Sequence, residues 1–199
     1  MKRKHLWWAV AGVGGAAAVV AVLWGPIASQ VERARYKVVE RKRAFEIRDY
    51  TPMIVAETEV SGSREEAIRQ GFRTLADYIF GNNAAMRVVA MTAPVTQQAG
   101  GAGWTVRFVM PARYTLDTLP EPNNAAISLK HLEGKRVAAI CFSGRARDAS
   151  VLRQAQRLER FIREKGLHPL SSPALAIYNP PWTVPFLRRN EVMIEIARQ

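Results

Sequence analysis

An internal duplication is the feature that most constrains how this chain can fold. Val60-Ser61-Gly62 aligns with Phe142-Ser143-Gly144 at an offset of 82 residues. The same offset places Val55-Ala56 on Val137-Ala138. Self-similarity at a fixed offset indicates that both halves form the same supersecondary unit. Residues 36–199 therefore predict two copies of one unit.

The first copy reads as two strands, a helix and two further extended segments. Apolar and β-branched runs bounded by turn residues predict the strands, and Ser63-x-x-Glu66 is a capping box that begins a helix ending near Phe80. The predicted strands and extended segments are Phe45–Tyr50, Met53–Val60, Val88–Thr96 and Trp104–Met110. The helix carries an apolar stripe at i, i+4, i+7 and i+11, which is Ile68, Phe72, Leu75 and Ile79.

The second copy follows the same order. Its predicted strands are Ile127–Leu132, Arg136–Phe142, Ala174–Tyr178 and Val192–Ile196. Its helix is expected over Ala149–Lys165, capped by Asp148 or Ser150, with Leu152, Ala155, Leu158 and Ile162 facing inward. The prediction is an α+β fold, a distorted antiparallel β-barrel built from a duplicated β-α-β-β unit with two helices.

The N-terminus predicts a membrane anchor. Leu6–Trp24 is a run of nineteen uncharged residues, which as a helix would be about 28 Å long, close to the ~30 Å hydrocarbon core. A cleaved signal peptide is the alternative, because a basic start followed by an apolar stretch also describes one. We therefore divide the chain into residues 1–30, a basic flank and transmembrane helix or signal peptide, and residues 31–199, a separate domain.

Charge bears on topology and on partners. The net charge is +12, of which Lys2, Arg3 and Lys4 account for three. These residues favour an N-in orientation, whereas the basic residues Arg33, Arg35, Lys37 and Arg41–Arg43 favour the reverse unless they fold into a strand. We expect a single-pass membrane protein with its domain on the exported side. The basic excess admits nucleic acid, an anionic membrane surface or an anionic small molecule as partners. No nucleic-acid motif accompanies it, so we expect no nucleic-acid partner.

The common catalytic signatures are absent from the sequence, which predicts a protein that is not an enzyme. One cysteine excludes an intrachain disulfide and a multi-cysteine zinc site. Cys141 belongs to the apolar run Val137–Phe142, so we expect a buried and inert thiol.

The segment Tyr178–Val192 combines three prolines with aromatic and cationic residues. Tyr178, Trp182 and Phe186 offer ring faces, and Arg188-Arg189 offer positive charge. A stiff aromatic loop with nearby arginines suits a flat, anionic, largely apolar ligand. The alternative is a loop packed over the barrel with its aromatic residues in the core.

Three separated segments resemble the SOUL haem-binding family. They are Phe45–Tyr50, Met91–Val95, and Tyr178–Pro181 followed by Arg188–Val192. The resemblance covers residues 36–197 and implies a barrel made of a duplicated unit. It also implies that haem or another tetrapyrrole binds in an apolar cleft beside the first helix. The same fold resembles bacterial effector-binding domains that hold small molecules.

The resemblance also implies a set of contact residues. An arginine near a porphyrin propionate corresponds to Arg69, and an apolar contact one turn later corresponds to Phe72. Trp182 and Phe186 lie in the loop that closes the cleft, and Ala76 and Tyr178 complete the expected set. Some members carry a histidine proposed to ligate iron where this chain has Asp49, so we expect haem or porphyrin to bind without a strong protein axial ligand. The repeat places His131 at the position equivalent to Asp49, where a solvated side chain is the commoner role.

The leading hypothesis is a membrane-tethered, non-catalytic tetrapyrrole-binding protein. The alternative is a membrane-surface scaffold, or a small-molecule effector-binding module with no haem role. Arg153, Arg157 and Arg160 support the scaffold, since they recur at helical spacing and could approach anionic headgroups.

Overall fold

The computed structural model describes residues 31–198, so the predicted membrane segment Leu6–Trp24 lies outside the described residues. Within residues 31–198, no helix has both the length and the apolar character needed to cross a membrane.

The described chain forms eleven strands, two α-helices and one short 3-10 helix. The α-helices are α1 (Arg64–Ile79) and α2 (Asp148–Glu164), and the 3-10 turn is Pro185–Leu187. The strands are β1 (Glu32–Arg33), β2 (Tyr36–Lys42), β3 (Phe45–Tyr50), β4 (Met53–Val60), β5 (Thr92–Ala93), β6 (Val95–Gly100), β7 (Gly103–Val109), β8 (Ile127–Leu132), β9 (Arg136–Phe142), β10 (Ala174–Ile177) and β11 (Asn190–Glu195). The predicted bounds of β3, β4, β8 and β9 are confirmed.

Nine strands form one antiparallel sheet in the order β2-β3-β9-β11-β10-β6-β7-β4-β8. The strand pairs that correspond between the repeats are β3 and β8, β4 and β9, β6 and β10, and β7 and β11. Apart from β2, exchanging the members of each pair gives the same order read from the opposite edge. The predicted duplication is therefore confirmed. Each repeat also gives its first strand to the other, because β3 pairs with β9 and β8 pairs with β4.

The expectation of a barrel needs correction. Within the described residues the sheet has two free edges, β2 and β8, and these strands do not pair with each other. The result is a curled half-barrel in the α+β class. The extra strand β2 lies outside the duplicated unit and covers the outer edge of β3.

Both helices pack on the same kind of surface in their own repeats. Leu75 and Ile79 of α1 join a core cluster with Phe108 of β7, and Leu158 and Ile162 of α2 join the equivalent cluster on β9 and β11. Because side chains alternate along a strand, Ile47 of β3 faces α2 while Arg48 faces the other side of the sheet. The polar side chains considered below lie on that second side.

The sequence correctly placed Ala155, Leu158 and Ile162 on the inner face of α2, but it misplaced the N-cap and Leu152. The N-cap is Arg147, without a side-chain cap hydrogen bond, so Asp148 and Ser150 lie inside the helix. Leu152 is 60% exposed, and Val151 packs on the core in its place. One residue is about 100° of rotation on a helix, enough to turn a side chain from core to solvent.

The capping box between Ser63 and Glu66 that begins α1 is confirmed. At one position of this helix the same one-residue shift occurs. Gly71 is buried, whereas Phe72 of the expected stripe is 41% exposed. A Cβ on Gly71 would lie 2.6 Å from Cγ2 of Val106. Glycine at this position therefore allows α1 to approach β7 closely.

We predict that Gly71→Ala lowers the free energy of unfolding by about 1–2 kcal/mol, although alanine is the better helix former. The added methyl group would overlap Val106 and push α1 away from β7. Urea unfolding measures the change, with Gln70→Ala on the exposed face of the same helix as the control. A Gly71→Ala protein as stable as the Gln70→Ala protein would contradict the close approach.

Candidate functional site

The exposed face of α1 combines an aromatic ring with positive charge. The Phe72 ring meets Phe108 edge-on at a centroid distance of 5.3 Å and leaves its other side open to solvent. Arg69 and Arg73 are exposed on the same helix, and neither forms a salt bridge with another residue of 31–198. Ala76 lies one turn after Phe72 and is buried.

A second aromatic surface lies on the loop between β10 and β11. Trp182 is 62% exposed and Phe186 is 73% exposed. The loop is held by its own hydrogen bonds, since the Arg188 guanidinium donates to the carbonyl oxygens of Thr183 and Pro181. The alternative prediction, that the aromatic residues of this loop pack in the core, is therefore wrong for Trp182 and Phe186.

The loop is connected to the start of α1 through the β9–α2 connection. The Gly144 N–H donates to the Pro185 carbonyl oxygen at 2.8 Å. Two residues further on, the Ala146 carbonyl oxygen accepts a hydrogen bond from Arg64, the first residue of α1, at 2.7 Å. Arg64 also pairs with Asp148 at the start of α2. These contacts fix the loop and the N-terminal ends of both helices to one another.

Tyr178 lies apart from the other expected contact residues. It is buried, and its hydroxyl group donates to Glu191 Oε2 at 2.9 Å. The Arg189 guanidinium lies 4.3 Å from its ring centroid. The structure therefore places Tyr178 at the base of the loop, whereas Arg69, Phe72 and Ala76 lie on α1.

Sequence reasoning missed a buried ion pair beneath this loop. Arg48 of β3 donates through Nη1 to Glu191 Oε2 at 2.6 Å and through Nη2 to Oε1 at 2.9 Å. Arg48 is 1% exposed and Glu191 is fully buried. Arg189 donates to the same carboxylate at 2.6 Å. The strands themselves gave no clear signal, because β3 also carries Glu46 and Asp49 and β11 also carries Glu195. Arg48 and Glu191 do belong to the segments that resemble the family.

The surroundings of this cluster keep its members in defined protonation states. Burial alone would raise the pKa of the Glu191 carboxyl group, but the hydrogen-bonded guanidinium groups of Arg48 and Arg189 hold that pKa below its ordinary value. Burial and the neighbouring Glu191 charge raise the pKa of Tyr178. The cluster is therefore an ionised carboxylate held by two cations and a neutral tyrosine.

Asp49, at the position of the family's proposed histidine ligand, is engaged elsewhere. Arg136 donates to both of its carboxylate oxygens at 2.8 Å, which lowers the pKa of Asp49. His131 is exposed on β8, with Nδ1 3.4 Å from Glu133 Oε1. Within residues 31–198, no group of three or more histidine, cysteine or acidic side chains is placed to hold a metal ion.

The expected burial of Cys141 is wrong. Cys141 is exposed, whereas its neighbour Ile140 is fully buried in the core beneath α2. An apolar run predicts a strand but does not tell which alternate side chains lie on the uncovered face.

We predict that Arg48→Met lowers the free energy of unfolding by about 3–5 kcal/mol, because it leaves a buried carboxylate short of a partner. Adding Glu191→Leu should restore only part of the loss, because it also leaves the Tyr178 hydroxyl group and Arg189 without their acceptor. Urea unfolding of the two proteins and of the matched control Arg136→Met measures this. The control removes the partner of the partly exposed Asp49 and should cost about 1 kcal/mol or less. A loss for Arg48→Met no larger than the control's would contradict the buried pair.

Comparisons with known proteins bear on this arrangement. The family model described as SOUL heme-binding protein matches residues 31–195. Heme-binding protein 1 of Xenopus laevis is 28% identical over 157 residues, which cover 75% of this chain and 82% of that relative. Both descriptions name binding and not catalysis.

Solved structures with this fold show how widely it is used. The EcmrR C-terminal domain has a TM-score of 0.59 at 11% identity and covers 82% of this chain and 99% of that one. A hydrolase from Listeria innocua has a TM-score of 0.53 at 12% identity and covers 80% and 94%. At such identities the likeness shows the fold alone. The family assignment rests on the sequence match, and the chain belongs to the SOUL heme-binding protein family.

Proposed function

We propose that this protein binds haem or another tetrapyrrole between the exposed face of α1 and the loop that carries Trp182 and Phe186, and that it acts by binding and not by catalysis. Membership of the SOUL heme-binding protein family supports the ligand class, as does the resemblance to Heme-binding protein 1. The observation that carries the choice of site is Phe72, a large ring left 41% exposed on the helix that also presents Arg69 and Arg73.

The residues on α1 fit the chemistry of a porphyrin. A porphyrin has two broad apolar faces and carries carboxylates at one edge, so it needs ring contacts beside cations. Phe72 supplies a ring face, and Arg69 and Arg73 supply guanidinium groups with no salt bridge to satisfy among residues 31–198. Ala76, one turn on, adds no bulk beside Phe72. An aromatic face and a charge-assisted hydrogen bond are both favourable to such a ligand.

The loop supplies the second part of the proposed site. Trp182 and Phe186 present exposed rings on a backbone held by Arg188 and Gly144. Tyr178 contributes by holding the base of the loop through Glu191. A surface whose shape is already set loses little conformational entropy when a rigid ligand binds.

The iron of a bound haem would supply redox or ligand-exchange chemistry of its own. We propose that it is held without a strong protein axial ligand. Both oxygens of the Asp49 carboxylate accept hydrogen bonds from Arg136. His131 and His168 are exposed and lie outside α1. In this proposal the chain's residues bind and orient the porphyrin and leave the metal open.

We predict that the double substitution Arg69→Glu with Phe72→Ala weakens haemin binding to the full chain by about tenfold or more, because it removes a charge-assisted contact and a ring contact. Titration with haemin, followed by the Soret band and by tryptophan quenching, measures the affinity. The matched control is Arg153→Glu with Leu152→Ala, a cation and an exposed apolar side chain on α2. Equal haemin affinities for the two double variants would reject the site on α1.

We also propose that the binding domain is tethered to a membrane by the uncharged run Leu6–Trp24, with the domain on the exported side. A spanning helix stays in the lipid when peripheral contacts are broken. Alkaline carbonate extraction of expressing cells should therefore leave the chain in the membrane pellet, and replacing Val19 and Val20 by Asp should release it. Release of the unsubstituted chain into the supernatant would contradict the tether.

A further inference from the structure

A cavity of about 390 Å³ lies at one end of the sheet, where β4 begins and β7 and β8 end. The chain segment Glu32–Arg35 forms one of its walls. Its lining comes from strands and loops and includes no residue of α1 or of the loop between β10 and β11. It is therefore separate from the proposed tetrapyrrole site.

The interior of this cavity is apolar. Met53 and Ile54 at the start of β4 and Val109 and Met110 at the end of β7 lie against it, with Leu116 closing one side. The Thr92 hydroxyl group, also on the wall, already donates to the Val109 carbonyl oxygen at 2.5 Å. The volume lies near the small end of the range for ligand pockets, about 300–1,000 Å³. A small apolar body fits such a space.

The rim of the cavity carries an excess of positive charge. Arg33 and Arg35 lie on it, against a single carboxylate, that of Glu32. That carboxylate is engaged, since Glu32 Oε1 accepts a hydrogen bond from the Ala112 N–H at 2.8 Å. The Arg35 side chain forms no salt bridge or hydrogen bond with another residue of 31–198. A ligand with an anionic group at one end would complement this rim.

We propose that the cavity binds a small amphipathic carboxylate, with its apolar body against the lining residues at the start of β4 and the end of β7 and its carboxylate at Arg35. The apolar lining provides binding free energy, and the exposed guanidinium selects the anion. The site goes beyond the proposed tetrapyrrole binding and uses none of the same residues.

Isothermal titration calorimetry of the full chain with octanoate tests this proposal. We expect saturable octanoate binding, and octylammonium, with the same chain length and opposite charge, should bind at least about tenfold more weakly. Arg35→Glu should weaken octanoate binding by about tenfold or more. Ala112→Trp, which adds a large side chain at the lining, should abolish it.

The controls separate this site from the one on α1. Arg69→Glu should leave octanoate binding unchanged, and Arg35→Glu should leave haemin binding unchanged. Thermal unfolding of each variant verifies that it remains folded. Equal affinities for octanoate and octylammonium would overturn the proposal, as would octanoate binding to the folded Arg35→Glu protein at the original affinity. If the unsubstituted chain bound octanoate but not haemin, the result would count against the tetrapyrrole site alone.

Discussion

The buried contact between Arg48 and Glu191 is the interaction on which the rest of the structure depends. It connects a strand of the first repeat to the last strand of the second, across β9, and its partners are 143 residues apart. Removing two charges from water is costly, and here the bidentate geometry, the second guanidinium of Arg189 and the Tyr178 hydroxyl group compensate. A slip of β3 by one residue would turn Arg48 toward α2, so the pair also defines the strand register.

The exchange of first strands between the repeats explains why such a contact is needed. Because β3 pairs with β9 and β8 pairs with β4, each repeat completes its sheet with a strand of the other. The helices cover one face of that sheet with two separate apolar clusters. On the other face, polar groups must satisfy one another, and the cluster around Glu191 does so while supporting the loop that begins at Tyr178. The position of Trp182 and Phe186 therefore depends on a buried charge that is not itself part of the proposed ligand surface.

Sequence reasoning could predict the elements but not their long-range partners. Turn residues and alternation were sufficient for β3, β4, β8 and β9, and the 82-residue offset was sufficient for the duplication. Nothing local distinguishes an open sheet from a closed barrel, because closure depends on pairing between β2 and β8 at opposite ends of the order. Likewise, the residue that pairs with Arg48 depends on the strand registers between β3 and β9 and between β9 and β11. The contact residues expected on α1 rested on the family resemblance. Tyr178 does not lie with them, because its side chain is on the polar face of the sheet, where it contacts Glu191.

Each helix departs from its predicted apolar stripe at one position, and the reason bears on function. A stripe chosen by hydrophobicity selects Phe72 and Leu152, while the packed positions are those of Gly71 and Val151. Close approach of a helix to a sheet favours a small or slender residue at the contact, and a larger apolar neighbour is then turned to the rim. On α2 this exposes a leucine next to arginines. On α1 it exposes a phenylalanine next to Arg69 and Arg73, so the closeness of packing at Gly71 is itself what makes a ring face available to a ligand.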